Sequence, residues 1–181
     1  MSLAAQSLKA APMRGLTAGS KLSTPILMCK ACTADLAQIN LIVARALNSW
    51  NLSPRVQRLA LPSLLYDEVD LQHMQFLLAH ADDDAVGVAA WEETAGRGAP
   101  DNSQTMLLHG LYVMPEWQGR HVGSSLLIAV EHQARDLGCD GITVAAWRQA
   151  EPFFRASKFL PDGPQPSTGE LYPKRMRKCL R

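Results

Sequence analysis

The sequence predicts a single mixed α/β domain, and three observations carry that expectation. Short alternating or apolar runs bounded by turn residues mark strands, and runs with apolar residues every three or four positions mark helices. The two kinds interleave along the chain with no internal repeat and no domain boundary. The 181 residues, 47% apolar and 19% charged, suffice to bury one core without disulfide or metal staples. The start reads differently. Up to Pro25 it carries Lys9, Arg14, Lys21 and several serines, and no acid occurs before Asp35. That composition loosely resembles an organelle transit peptide, but a leader, an overcalled start or a surface arm has the same look. Residues 1–25 are therefore set apart as an N-terminal extension, and 26–181 as the domain.

Ile26 to Cys29 reads as a short apolar strand. Thr33 is a suitable N-cap with Asp35 in the first turn, and Leu36, Ile39, Val43 and Leu47 then recur at helical spacing up to Trp50. A segment punctuated by Pro54 and Pro62 follows, with the acidic patch around Asp67, Glu68 and Asp70, and reads as a short helix with loops. Gln75 to Ala81 and Ala85 to Trp91 form a hairpin about Asp82, Asp83 and Asp84, with Val86, Val88 and Ala90 alternating on one face. The three aspartates lack the spacing of a calcium loop. Ala95 to Ser103 is a polar loop. Thr105 to Val113 is a strand placing Leu107, His109, Leu111 and Val113 on one face and Leu108, Gly110 and Tyr112 on the other. A long amphipathic helix shows Val122, Leu126, Leu127, Val130, Ala134 and Leu137 on one side, and Gly138 stops it. Gly141 to Ala146 is a buried strand, Glu151 to Ser157 a short helix, Phe159 and Leu160 the start of an extended segment, and Tyr172 to Leu180 a last strand.

Several function classes are disfavoured at this level. A net charge of +1 without basic stripes and interleaved aromatics gives no reason to expect nucleic acid. No apolar run approaches the roughly 20 residues of a membrane-spanning helix. The four cysteines do not form a disulfide scaffold, and Cys29 with Cys32 lacks the further ligands of a zinc site. A cytoplasmic protein with no metal is the expectation, and a homodimer is left open.

The chemically informative stretch is Gln118 to Ser125, between a strand and the long helix. The first amides of a helix have no partner within it and carry partial positive charge, so they favour anions. Gly119, Gly123 and Ser124 leave room for a phosphate to approach the backbone. Glycines that only turn the chain would look the same. The signatures of nucleoside triphosphate and dinucleotide sites are absent.

Wider context gives the turn a specific meaning. Leu111-Tyr112-Val113-Met114-Pro115 precedes Gln118-Gly119-Arg120-His121-Val122-Gly123 and Ser124-Ser125-Leu126-Leu127, and the segment from Ala150 to Phe159 follows. In this order they resemble the GNAT superfamily of N-acetyltransferases, with its [QR]-x-x-G-x-[GA] coenzyme A motif. The resemblance covers roughly Ile26 to the C-terminus. It implies a central, mostly antiparallel sheet with one splayed parallel pair, flanked by helices. It further implies acetyl-CoA as cosubstrate and no metal, held by Leu111, Tyr112, Val113, Gln118, Gly119, Arg120, His121, Val122, Gly123, Ser124 and Phe154. The backbone of Leu111 to Val113 would take the pantetheine arm, and the amides from Gly119 to Ser124 the pyrophosphate. The acceptor would be an amine of a small molecule or peptide, attacking directly in a ternary complex.

Four residues depart from the pattern. His121 and Lys158 stand where the family has glycine, Trp147 where an asparagine is common, and Phe154 where a tyrosine often protonates the leaving thiolate. The Cβ of His121 leads us to expect an ordinary backbone conformation there. Loss of the tyrosine leaves room for a non-catalytic acyl-CoA sensor or a partner-binding domain on the same fold. For proton removal from the amine the candidate base is His109, on the strand beside the pantetheine site. A buried histidine bonded within the core is the other reading of that residue. Asp67, Glu68 and Asp70 either attract a cationic acceptor or simply line a solvated helix. The basic run Lys174, Arg175, Arg177 and Lys178 either meets the coenzyme's ribose phosphate or protects an edge strand.

Overall fold

The computed structural model describes residues 25–92, 104–163 and 173–180. The extension before residue 25 and the loop expected from Ala95 to Ser103 lie outside them, as does the beginning of the last expected strand. The strands are β1 (Ile26–Lys30), β2 (Gln75–Ala81), β3 (Asp84–Glu92), β4 (Thr105–Val113), β5 (Gly141–Ala146), β6 (Leu160–Pro161) and β7 (Lys174–Cys179). They form one seven-stranded sheet in the order β1-β2-β3-β4-β5-β7-β6. Every neighbouring pair is antiparallel except β4 with β5. The helices are α1 (Leu36–Ser49), α2 (Pro54–Leu64), α3 (Glu68–His73), α4 (Val122–Asp136) and α5 (Glu151–Ala156). No helix among the described residues is long and apolar enough to cross a membrane.

Helices cover both faces. On one, Leu126, Val130 and Ala134 of α4 and Phe154 of α5 pack with Met106, Leu108, Ile142 and Met176 of the sheet. On the other, Ile39, Ile42 and Val43 of α1 pack with Phe76, Val88 and Tyr112. α2 closes a smaller cluster of Leu47, Leu52 and Ala60. The segment read as one short helix with loops is in fact α2 and α3. Ser53 caps α2, accepting from the Val56 amide, and Pro54 opens it. Asp67 caps α3, its Oδ1 accepting from Val69 at 2.8 Å and Asp70 at 2.9 Å, while Asp70 Oδ2 accepts from the Asp67 amide. Two of the acids read from sequence are thus capping groups.

The entry to α1 also differs from expectation. Thr33–Asp35 is a 3₁₀ turn, and the Cys32 amide donates to Asp35 Oδ2 at 2.8 Å. That bond holds the Asp35 carboxyl below its ordinary range. The basic strand β7 is not an edge, because it lies between β5 and β6. Its charges are balanced internally, Lys174 by Glu151 at 2.8 Å, Arg175 by Asp162 at 3.7 Å, and Lys178 by the buried Glu131.

Helix α4 runs as expected except at its end, where Leu137 is the C-cap and 45% exposed. Gly138 follows at φ 73°, its amide bonding Arg135 O and that of Cys139 bonding Ala134 O. This is a Schellman motif, which wants glycine at the left-handed position. α5 ends the same way, Lys158 N bonding Arg155 O and Phe159 N bonding Phe154 O, but the left-handed residue is Lys158 at φ 69°. The Phe154 and Phe159 rings meet edge to face at 5.2 Å and secure the turn. Lysine there carries the steric cost of a Cβ that glycine lacks. Lys158→Gly is therefore expected to stabilise the fold by about 1 kcal/mol, read as a raised denaturation midpoint, since the relief outweighs glycine's extra chain entropy.

Candidate active site

The site begins with an irregularity in β4. Gly110 lies opposite Ala90 and Leu108 opposite Trp91, so His109 is an extra residue in the ladder. A bulge of this kind bends the strand and reverses side-chain parity beyond it. Met106 and Leu108 therefore share the α4 face with Leu111 and Val113, while Tyr112 turns to the α1 face. The expected face of Leu107, His109, Leu111 and Val113 is corrected accordingly. A second bulge in β3, where His80 pairs with Ala85 and Ala79 with Gly87, separates Val86 from Val88 and Ala90 in the same way.

Pairing of β4 with β5 ends at Leu108 opposite Val144, although both strands continue. Bulge and loss of pairing thus coincide, and the sheet opens between His109–Val113 and the end of β5. Among the described residues that edge of β4 has no strand partner, so its backbone groups face a cleft.

The turn after β4 supplies the next wall. Pro115–Trp117 is a 3₁₀ turn, Gly119 lies at φ 71°, and His121 caps α4 at φ 64°. The ordinary conformation expected for His121 is thus not adopted. Like Lys158, it keeps a left-handed backbone, because the turn geometry must be met for the helix to start at Val122. The first bond within α4 runs from Ser125 N to His121 O at 2.9 Å. The amides of Val122, Gly123 and Ser124 consequently have no carbonyl within the helix.

The Gln118 side chain donates to Val113 O at 3.1 Å and to Ser49 Oγ at 3.5 Å, tying the turn to β4 and α1. The Arg120 guanidinium lies 5.0 Å from the Trp117 ring centroid. Leu111, Tyr112, Val113, Gln118, Gly119, His121, Val122, Gly123, Ser124 and Phe154 all line one cleft of about 340 Å³, together with Trp50 and Phe153. Arg120 is the one member of the expected set that is not in this wall. A Cβ built on Gly123 would point between Leu111 and Phe153, 3.5 Å from each. The residues present therefore fit a narrow phosphorylated arm. The bare helix end leaves amides free to bond an anion, and glycine leaves the approach clear.

A second cleft, of about 390 Å³, adjoins the first and shares Trp50, Leu111, Tyr112, Ala150 and Phe154 with it. His109 lines it, as do Ser63 and Leu64 of α2 and Trp147. Phe154 is buried at the junction, edge to face with Phe153 at 5.2 Å. His109 is not a core histidine. Its side chain is 32% exposed, and Nε2 lies 2.8 Å from Glu92 Oε1. With the proton on Nε2 donated to that carboxylate, the imidazole keeps its lone pair on Nδ1. Asp70, Glu92, His109, Tyr66 and Tyr112 line a small recess beside this cleft. Burial pushes the Tyr112 phenol up to about 12 and raises Tyr66 as well, so both hydroxyls stay protonated at neutral pH. The two hydroxyls are hydrogen-bonded to each other. Gly110 admits this pair, since a Cβ there would lie 2.4 Å from the Tyr112 ring and 2.5 Å from the Tyr66 hydroxyl.

Glu92, Tyr66 and Trp50 were not read from sequence as site residues. Glu92 closes a strand just before a polar loop, and nothing in its spacing couples it to His109 seventeen positions later. No group of His, Cys, Asp or Glu among the described residues is arranged to hold a metal ion.

Comparison with known proteins agrees with this geometry. The profile of the Acetyltransferase (GNAT) family matches residues 43–159. Over 83 residues the chain is 37% identical to an aminoglycoside N(6')-acetyltransferase type 1 from Stenotrophomonas maltophilia, covering 44% of this chain and 52% of that protein. The chain thus spans about half the length of this curated relative. Among solved structures, the PaiA N-acetyltransferase of Thermoplasma acidophilum in complex with coenzyme A superposes with a TM-score of 0.69 at 19% identity, covering 86% of this chain and 99% of that one. A GCN5-related N-acetyltransferase from Rhodopseudomonas palustris gives 0.67 at 23% identity, with 89% and 99% covered. Such identities speak for the fold alone. Since the family profile spans both the opened strand pair and the helix end that forms the cleft, the chain belongs to the GNAT acetyltransferase family.

Proposed function

We propose that this protein transfers an acetyl group from acetyl-CoA to a primary amine by direct attack. One observation carries the reading: the opened β4 edge, the free amides of α4 and His109 all line adjoining clefts with a shared wall, and Glu92 holds His109 from the recess beside them. Leu111 to Val113 would hold the pantetheine arm, and Gly119 to Ser124 the diphosphate. The coenzyme supplies an activated acyl group as a thioester. His109 Nδ1 takes a proton from the incoming ammonium, directly or through water, and Glu92 offsets the imidazolium charge. The nitrogen lone pair then forms the amide bond as the carbon–sulfur bond breaks, and the second proton the nitrogen loses passes through water to the departing thiolate, leaving neutral amide and free thiol. The similarity to an aminoglycoside acetyltransferase supports a small-molecule acceptor.

Thiol release on mixing acetyl-CoA with a panel of diverse amines tests the reading. Turnover with at least one amine is expected. Stoichiometric acetyl-CoA binding without turnover would instead mark an acyl-CoA sensor, and no binding at all a partner-binding domain.

Phe154 has no hydroxyl to protonate the thiolate, but a thiolate is a good leaving group, with a parent pKa of about 8.5. Phe154→Tyr is accordingly expected to keep kcat at or above that of the parent. A large loss of kcat with unchanged coenzyme affinity would show that the buried ring position admits no hydroxyl.

A further inference from the structure

The second cleft has a chemical character that the proposed acetyl transfer does not require. Its wall combines Trp50, Leu59, Leu64 and Trp147 with the apolar backbone positions of β5. Trp50 and Trp147 face each other with ring centroids 5.8 Å apart and planes inclined at 44°. Leu59 lines the cleft and is 64% exposed, so an apolar surface is offered to whatever enters. No aspartate or glutamate stands among the described residues of this wall. The two acids of the adjoining recess, Asp70 and Glu92, are both engaged. Asp70 accepts from the Asp67 amide at 2.9 Å, and Glu92 pairs with His109 at 2.8 Å.

We infer that the acceptor is a monoamine carried on an apolar, preferably aromatic, body. The amine reaches His109, and the body lies between Leu59, Leu64 and the two tryptophans. This rests on the acetyl-transfer reading above and narrows it. Aromatic side chains give such a body both burial and ring contacts, and an ammonium passing them gains cation–π attraction. An amine-rich sugar would fare worse. Its hydroxyls and further ammonium groups would lose water against leucine and tryptophan, with no carboxylate in the described wall to receive them. Similarity to an aminoglycoside acetyltransferase therefore does not carry over as substrate.

The test compares kcat/KM for tryptamine, 2-phenylethylamine, ethylamine, spermidine and kanamycin, with thiol release as readout. The two arylalkylamines are expected to exceed ethylamine by roughly tenfold to a hundredfold, the value of burying one aromatic group. They should exceed spermidine and kanamycin as well. Leu59→Asp, at an exposed position that the fold tolerates, should lower the arylalkylamine values and raise that of spermidine. Trp147→Ser should lower the arylalkylamine values alone. Higher kcat/KM for kanamycin or spermidine than for either arylalkylamine overturns the inference. If no amine turns over, acetyl transfer itself fails, and the cleft is judged by calorimetry with tryptamine in the presence of coenzyme A. Binding weakened by Trp147→Ser then upholds an arylalkylamine site, whereas no binding, or binding indifferent to that change, overturns it.

Discussion

Gly123→Val is expected to abolish tight coenzyme A binding while the protein stays folded. Gly123 is the second residue of α4, where its amide has no carbonyl within the helix to bond. A Cβ there meets Leu111 and Phe153 at 3.5 Å, which is ordinary contact, so the empty protein tolerates it. The two γ-methyls of valine, however, must enter the cleft between these residues. Displacing a diphosphate from even one or two charge-assisted backbone bonds, at about 1.5–3 kcal/mol each, weakens affinity by roughly tenfold to ten-thousandfold. Gly123→Ala separates stability from binding. Alanine is the better helix former by about 0.5–1 kcal/mol, so the melting temperature should rise or hold while coenzyme affinity falls. Calorimetric titration showing unchanged affinity in a folded Gly123→Val protein would move the diphosphate away from α4.

What could be read from the sequence follows from how local its causes are. α4 was legible because an apolar face, a glycine-bearing start and Gly138 all lie within one segment and agree. The Gln75–Glu92 hairpin was legible for the same reason, two strands and their turn being contiguous. The bulges at Val86 and His109 were not, because an extra residue leaves no mark on alternation until the partner strand is known. They matter to the site. The bulge at His109 turns Tyr112 toward Tyr66 and brings the imidazole against Glu92, a partnership between separate strands. The left-handed His121 and Lys158 show the opposite limit. Residue preference argued against that conformation at both positions, and the helix start and the Schellman turn around them overrode it. The capping roles of Asp67 and Asp70 likewise became visible only when α3 was seen to begin there.

His109→Gln and His109→Ala are expected to lower kcat by about 10²–10⁴ with little change in coenzyme A affinity. A primary alkylammonium with a pKa of roughly 10 is almost wholly protonated at neutral pH, so a base positioned to take its proton raises the reactive fraction at the site. His109 stands where β4 leaves β5, within the wall of the second cleft, and Glu92 fixes which ring nitrogen is free. The same changes should remove an inflection from the pH dependence of kcat/KM. Glu92→Gln keeps a hydrogen-bonding partner but loses the charge that balances the imidazolium. A smaller loss of kcat, on the order of tenfold, is expected from it, with the inflection retained. A structural role would read out differently. The pair is about one-third exposed on both sides, and an ion pair so placed contributes only about 0–1 kcal/mol to stability. Melting temperature should therefore barely move in any of the three variants. A His109→Ala protein that melts well below the parent yet keeps its kcat and pH profile would remove His109 from the reaction and leave the amine's proton to a chain of water.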